Sequence, residues 1–344
     1  MTDIAMADIA RTAAAMVTEG KGILAVDESS STMDTRLATA GLPPGQEQRR
    51  AYREMLVTTA GLAGGVSGVI LCDETFRQGT SDGQTFPGAL ARRGLLPGIK
   101  VDTGTKPLAG APEEKITEGL DGLRERLAEY AALGAAFAKW RAVIRIGAGR
   151  PSWRSLHANA HALARYASLC QEAGIVPIVE PEVLRDGDHT IQRCADVTSA
   201  ALLELCTELG DFGVEFRAMV LKPSMVVPGA ESGQTAAPEE VAARTVAALR
   251  CAVPEDVAGI AFLSGGQGPA EATANLAAMQ CLDAHWPLTF SFGRALVDPA
   301  LSAWRGEPGR VPDGQQALAN RVACNVAALQ GSYRPVLAPS YALA

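Results

Sequence analysis

The segment FAKWRAVIRI at 137–146, a helical stretch after it, and VPIVEPE at 176–182 decide the fold. Both outer runs are mostly apolar and rich in Val and Ile, which suits parallel strands covered on both faces. Between them Leu156, Leu163, Ala167 and Cys170 recur at helical spacing, and Gly174 stands where that helix should stop. Working outward, the same alternation repeats. Ile23–Val26, Gly68–Cys72 and Gly98–Asp102 precede the unit, and Arg217–Lys222, Gly259–Ser264 and Leu288–Gly293 follow it. Leu120, Leu123, Leu127 and Tyr130 repeat at three and four, Pro238-Glu-Glu opens another helix, and Gly210 marks a second stop. Eight β-type runs alternating with helices over an undivided chain predict a single α/β domain spanning 1–344. The expected architecture is a (β/α)₈ TIM barrel with an N-terminal helix, a C-terminal helix and a tail over about 332–344. A doubly wound open sheet is the alternative, and it usually needs fewer strands.

Composition narrows the function. The 344 residues carry 31 Lys and Arg against 38 Asp and Glu, a formal net charge of −7. That balance argues against a nucleic-acid or anionic-membrane partner. No stretch approaches the run of about 18 apolar residues that spans a bilayer. Met1–Ala10 holds Asp3 and Asp8 and no basic head, so it does not read as a secretory signal. The cysteines are 7 in number, scattered, with no C-x-x-C pair. They read as reduced thiols of a cytoplasmic protein.

The chemistry lies in charges placed where they are costly. In a barrel the carboxyl ends of the strands form the active-site face, and a desolvated ion there needs a partner. Asp27 and Glu28 follow the first run. Lys100 with Asp102, Lys139 with Arg141, and Glu180 with Glu182 are i, i+2 pairs, and Lys222 closes the sixth run. Residues two apart share a face, so each pair can point into one mouth. Lys139 and Lys222, taken as lying on neighbouring strands, should repel and drive one amine neutral. A neutral lysine can attack a carbonyl and form a Schiff base. Met219-Val-Leu before it and Pro223 after it make Lys222 the better nucleophile. Lys139 then serves as electrostatic partner, Glu180 and Glu182 carry protons, and Asp27 orients hydroxyls. Ser264-Gly265-Gly266 and Gly293-Arg294 read as a phosphate cradle after the seventh and eighth strands. Ser29, Arg36 and Lys100 offer a second anion site on the opposite rim, so a substrate with a phosphate at each end and a carbonyl between is expected.

Other signals are weaker. His157 and His161 are i, i+4 and could ligate a metal from one helical face, but no metalloprotease glutamate lies between them. No catalytic metal or cofactor is expected. No P-loop or dinucleotide fingerprint occurs. Tyr341 sits in a Pro-flanked tail that could fold over the site as a proton relay.

The chain resembles class I, Schiff-base fructose-1,6-bisphosphate aldolase from about Gly20 to Tyr333. The likeness is carried by GILAVDES at 22–29, GVILCDET at 68–75, GIKVDTG at 98–104, FAKWRAVIRI at 137–146, ARYASLCQEAGIVPIVEPEVLRDGDH at 164–189, LKPSMVVPG at 221–229, FLSGGQ at 262–267 and FSFGRAL at 290–296. The resemblance implies a metal-free homotetramer of glycolysis and gluconeogenesis, with Lys222 as the Schiff-base lysine and Lys139 and Arg141 holding charge and substrate. It implies Glu180 and Glu182 as acid/base and partner, and Asp27 at the cleaved bond. Ser264, Gly265 and Arg294 would hold one phosphate, with Ser29, Arg36 and Lys100 near the other. The sequence departs from the family pattern at Thr103, Ser224 and Phe292, where Lys, Asn and Tyr are common. A related Schiff-base aldolase or transaldolase, and a non-catalytic scaffold, are the competing expectations.

Overall fold

The computed structural model describes residues 3–334. Helix α1 (Asp3–Met16) leads into β1 (Gly22–Val26), α2 (Ser30–Thr39) and α3 (Gln46–Val57). Then come β2 (Val66–Leu71), α4 (Asp73–Phe76), α5 (Phe86–Arg92) and β3 (Leu96–Lys100). A hairpin of β4 (Thr105–Leu108) and β5 (Ala111–Thr117) precedes α6 (Leu123–Ala132) and β6 (Phe137–Ile144). The chain continues through α7 (Trp153–Glu172), β7 (Val176–Val183), α8 (Ile191–Asp211), β8 (Val220–Leu221), α9 (Pro238–Ala252) and β9 (Ile260–Phe262). Helix α10 (Pro269–Met279), β10 (Leu288–Phe292), α11 (Arg294–Trp304) and α12 (Val311–Leu329) complete it. The strands close in the order β1-β10-β9-β8-β7-β6-β3-β2, with β4 and β5 apart. Every barrel pairing is parallel. The eight expected runs are the eight barrel strands.

Strand parity divides the side chains. The residues facing outward, among them Leu24, Val69, Ile99, Trp140, Val179 and Phe262, pack with the helices in the larger core. Those facing inward at the amino ends form a second cluster. Ile23, Ile70, Phe137, Ile178 and Val220 meet Ile9, Ala13 and Met16 of α1, which closes that end of the barrel. Two residues further along β1, β6, β7 and β8, on the same face, the interior turns polar. Phe137 is followed by Lys139 and Arg141, Ile178 by Glu180 and Glu182, Val220 by Lys222, and Ala25 by Asp27. A dry floor and a charged mouth thus share one set of strands.

The floor leaves little room beside Phe137. A Cβ on Gly68 would come within 2.8 Å of that ring, and one on Gly98 would overlap it. Gly98→Val should therefore lower stability by about 1–3 kcal/mol through overpacking, read as a lower urea midpoint at unchanged slope.

Several boundaries differ from the sequence reading. The sixth run was expected from Arg217, but Phe216–Ala218 is a 3₁₀ turn and only Val220–Leu221 is strand. The Glu215 carboxylate accepts from the Arg217 backbone N–H at 3.3 Å, which caps the turn and delays the strand. Gly210 lies inside α8, and the left-handed residue that ends it is Gly213 at φ 64°. The β4–β5 hairpin was not expected. Its residues, TKPLAGAPEEKIT, mix polar and apolar side chains in no alternating order and are interrupted by Pro107 and Pro112, so they lack a strand's pattern.

Candidate active site

A cavity of about 490 Å³ opens at the carboxyl ends of the strands. It brings together all of the expected site residues that the structure describes. Asp27, Lys139, Arg141, Glu180, Glu182 and Lys222 line its depth, and Ser29, Arg36, Lys100, Ser264, Gly265 and Arg294 line its rim. Tyr341 lies outside the described residues. A larger cavity of about 590 Å³ lies against α3 and Trp304. Its acids are already engaged: Glu54 with Arg50 and the Ser81 backbone N–H, and Asp82 with Thr80 and Gln84.

The two lysines are not on adjacent strands. β7 runs between β6 and β8, and its Glu180 sits between the amines. Glu180 Oε2 is 2.8 Å from Lys139 Nζ, and Glu180 Oε1 is 3.5 Å from Lys222 Nζ. Lys139 also donates to Asp27 Oδ2 at 3.0 Å. Lys139, Glu180 and Lys222 are each at most 4% exposed, so solvent screens these charges weakly. The backbone holds Lys222 in place, its N–H donating to Val179 O at 2.8 Å.

These surroundings drive the two amines apart. Burial pushes the Lys222 amine below the ordinary lysine range, and the nearby Lys139 cation adds to the effect against the pull of Glu180 and Asp27. Burial also opposes charge on Lys139, but Asp27, Glu180 and Asp102 outweigh it and hold that amine well above its usual range. For Asp27, burial favours the neutral acid, yet Lys139 and Lys222 overcome it and hold the carboxyl down at about 2. The mouth therefore contains a fixed ammonium, a fixed carboxylate and an amine whose proton is easily lost. Environments that split like groups in this way assign acid and base roles.

The rim carries the anion-binding features. Gly265 and Gly266 adopt φ 50° and 78°, which turns successive backbone N–H groups toward one concavity. Gly293 caps α11 and sets Arg294 at its first turn, where the helix dipole favours an anion. Across the cavity Ser29 caps α2, its Oγ accepting from Thr32 N at 3.2 Å. Lys100 pairs with Asp102 at 2.6 Å. Arg36 is bound to Glu28 and, at 2.6 Å, to Asp298. An anion bound at Arg36 would have to take it from these acids, a competition that sequence alone did not disclose. Arg141 is paired with Glu182, so that glutamate holds the arginine rather than the lysines. Burial opposes the guanidinium's charge, but Glu182 and Glu180 keep it firmly protonated. Sequence reasoning also missed Thr32 and Ser291. Ser291 lies between Phe290 and Phe292, and strand alternation was the available signal.

Comparison with known proteins gives one consistent result. A family model described as fructose-bisphosphate aldolase class-I matches residues 8–342. A curated "Probable fructose-bisphosphate aldolase class 1" of Xanthomonas campestris pv. campestris is 51% identical over 328 residues, covering 95% of this chain and 98% of its own. The cytosolic fructose-bisphosphate aldolase 6 of Arabidopsis thaliana is 50% identical over 324 residues, covering 94% of this chain and 90% of its own. Among solved structures, fructose-bisphosphate aldolase from Plasmodium falciparum superposes with a TM-score of 0.95 at 41% identity, covering 97% of each chain.

Proposed function

Because this chain belongs to the class-I fructose-bisphosphate aldolase family, we propose that Lys222 is the amine on which its substrate is held. The reaction is the reversible aldol cleavage of fructose 1,6-bisphosphate to dihydroxyacetone phosphate and glyceraldehyde 3-phosphate, carried out by a metal-independent lyase of glycolysis. The observation that carries the assignment is the pair of buried lysines flanking Glu180, one held as a cation and the other pushed toward the free amine.

In the proposed sequence, neutral Lys222 Nζ attacks the ketone carbon, and its surplus proton passes through Glu180 to the carbonyl oxygen. Glu180, after taking up a proton from solvent, gives it to the carbinolamine hydroxyl, which leaves as water; the products are a protonated imine and the Glu180 carboxylate. The adjacent carbon–carbon bond then breaks, and its electron pair moves onto the imine to give an enamine. Glu180 takes the proton from the hydroxyl at the cleaved bond. Asp27 serves that role poorly, since a carboxylate held at about 2 is a weak base; it orients hydroxyls instead. Glyceraldehyde 3-phosphate departs, and protonation and hydrolysis of the enamine release dihydroxyacetone phosphate. Lys139 keeps the two carboxylates in place and Glu182 positions Arg141 against substrate. Ser264, Gly265 and Arg294 hold one phosphate, and Ser29, Arg36 and Lys100 the other. Such remote contacts supply orientation to the reacting bond.

Borohydride reduction in the presence of dihydroxyacetone phosphate, followed by peptide mass spectrometry, should place the adduct on Lys222. An adduct on Lys139 would overturn the assignment. EDTA should leave cleavage unchanged in a coupled assay of triose phosphate release, whereas strong loss would contradict the metal-free mechanism. The family match favours this reading over transaldolase chemistry or a silent scaffold.

We further propose a single catalytic domain acting as a homotetramer in the cytoplasm, with Tyr341 relaying a proton to the enamine. The tetramer and the relay follow the family resemblance. Among the described residues no helix is long and apolar enough to cross a membrane. The curated relatives include cytosolic aldolases and a chloroplastic one.

A further inference from the structure

Away from the mouth, α7 and α8 run side by side and set four potential metal ligands against one another. His157 and His161 lie one turn apart on α7, and Glu204 and Glu208 lie one turn apart on α8. His157 Nδ1 is 2.7 Å from Glu204 Oε1 and 3.2 Å from Glu208 Oε1, and His161 Nδ1 is 3.1 Å from Glu208 Oε2. One donor atom from each of His157, Glu204 and Glu208 falls within a span of 4.8 Å. A single imidazole N–H cannot serve both carboxylates well. The cluster holds two carboxylates, and among the described residues neither pairs with Lys or Arg. A dication satisfies both the charge and the spare lone pairs. Bonds of about 2.0–2.2 Å to nitrogen and oxygen place tetrahedral ligands roughly 3.3–3.6 Å apart, so donors now at 2.7 and 3.2 Å need open only slightly to admit the ion.

We propose that His157, Glu204 and Glu208, with His161 beside Glu208 as a fourth ligand drawn in on binding, form a surface site for a borderline transition-metal dication, zinc foremost, that ties α7 to α8. Mixed imidazole and carboxylate donors suit that ion class. The rings are already oriented: Trp153 stacks on His157 at 4.7 Å, and Phe212 meets His161 edge-on at 5.1 Å. The site takes no part in aldol cleavage and does not rest on the Schiff-base assignment.

The test uses EDTA-stripped full-length protein titrated with Zn²⁺ by calorimetry. One ion per chain should bind, and His157→Ala and Glu208→Gln should each weaken binding by about tenfold or more, since outer partners alone are worth about 10- to 100-fold. Circular dichroism confirms that each variant is folded. Cu²⁺ should quench Trp153, the one exposed tryptophan among 4 in the chain, and Trp153→Phe should abolish the saturable quench while keeping the calorimetric isotherm. Absence of a saturable 1:1 isotherm, or an isotherm unchanged in His157→Ala and Glu208→Gln because exposed thiols such as Cys251 and Cys281 hold the ion, overturns the site.

Discussion

Lys222→Met should lower the cleavage rate by about 10⁴-fold or more, because among the described residues the other lysines of the mouth, Lys100 and Lys139, are each tied to a carboxylate. Methionine fills nearly the same volume in the same dry setting, so folding is retained. KM should change little by comparison, since the residues proposed to hold the two phosphates stay in place. Borohydride trapping should vanish with activity. The same substitution removes a pH dependence of stability. The Lys222 amine is pushed below its ordinary value of 10.5 by burial, with Lys139 adding to it, so between its folded-state value and 10.5 the unfolded chain binds more protons. Over that window stability rises with pH, and this contribution should disappear in Lys222→Met. Retention of more than a few per cent of activity, or trapping at full yield, would show that the nucleophile is elsewhere.

Lys139→Met should lower kcat by about 10²–10³-fold, the scale of losing proton transfer and electrostatic support together. It should also move the acid limb of the rate profile to higher pH. Lys222 loses the like charge that helps depress its amine, so it stays protonated to a higher pH and attacks less readily. Asp27 loses its strongest opposing charge, so burial carries its carboxyl upward from about 2. Asp27 and Glu180, left without the Lys139 ammonium between them, should cost about 3 kcal/mol at neutral pH, a penalty that eases in acid as Asp27 takes up a proton. Rate profiles between pH 5 and 9, set beside urea melts, separate the two effects. An unmoved acid limb would mean that Lys139 does not act on Lys222.

Much of this architecture was legible because two periodicities never conflict. Apolar runs with charges at i, i+2 predicted both the strands and the face on which Lys139, Arg141, Glu180 and Glu182 converge. What escaped depended on contacts between distant segments. The placement of Glu180 between the lysines follows from barrel closure order, which no local pattern encodes. The capture of Arg36 by Glu28 and Asp298 joins residues 262 apart. The β4–β5 hairpin is held by tertiary partners such as Thr117 Oγ1 to Arg141 O at 2.7 Å, not by an apolar rhythm of its own. The brevity of β8 reflects a side-chain cap at Glu215, a single hydrogen bond that hydrophobicity does not report.

The helix packed beneath the strands has a consequence for traffic. With Ile9, Ala13 and Met16 stoppering one opening, both fragments of a split sugar must leave by the doorway the whole sugar used. The fragment without a covalent tether goes first, and its partner cannot be hydrated free until that departure clears the way. Ordered exit of this kind makes the late-leaving product compete with fresh sugar for the vacant enzyme, while the early one binds behind it on the loaded form.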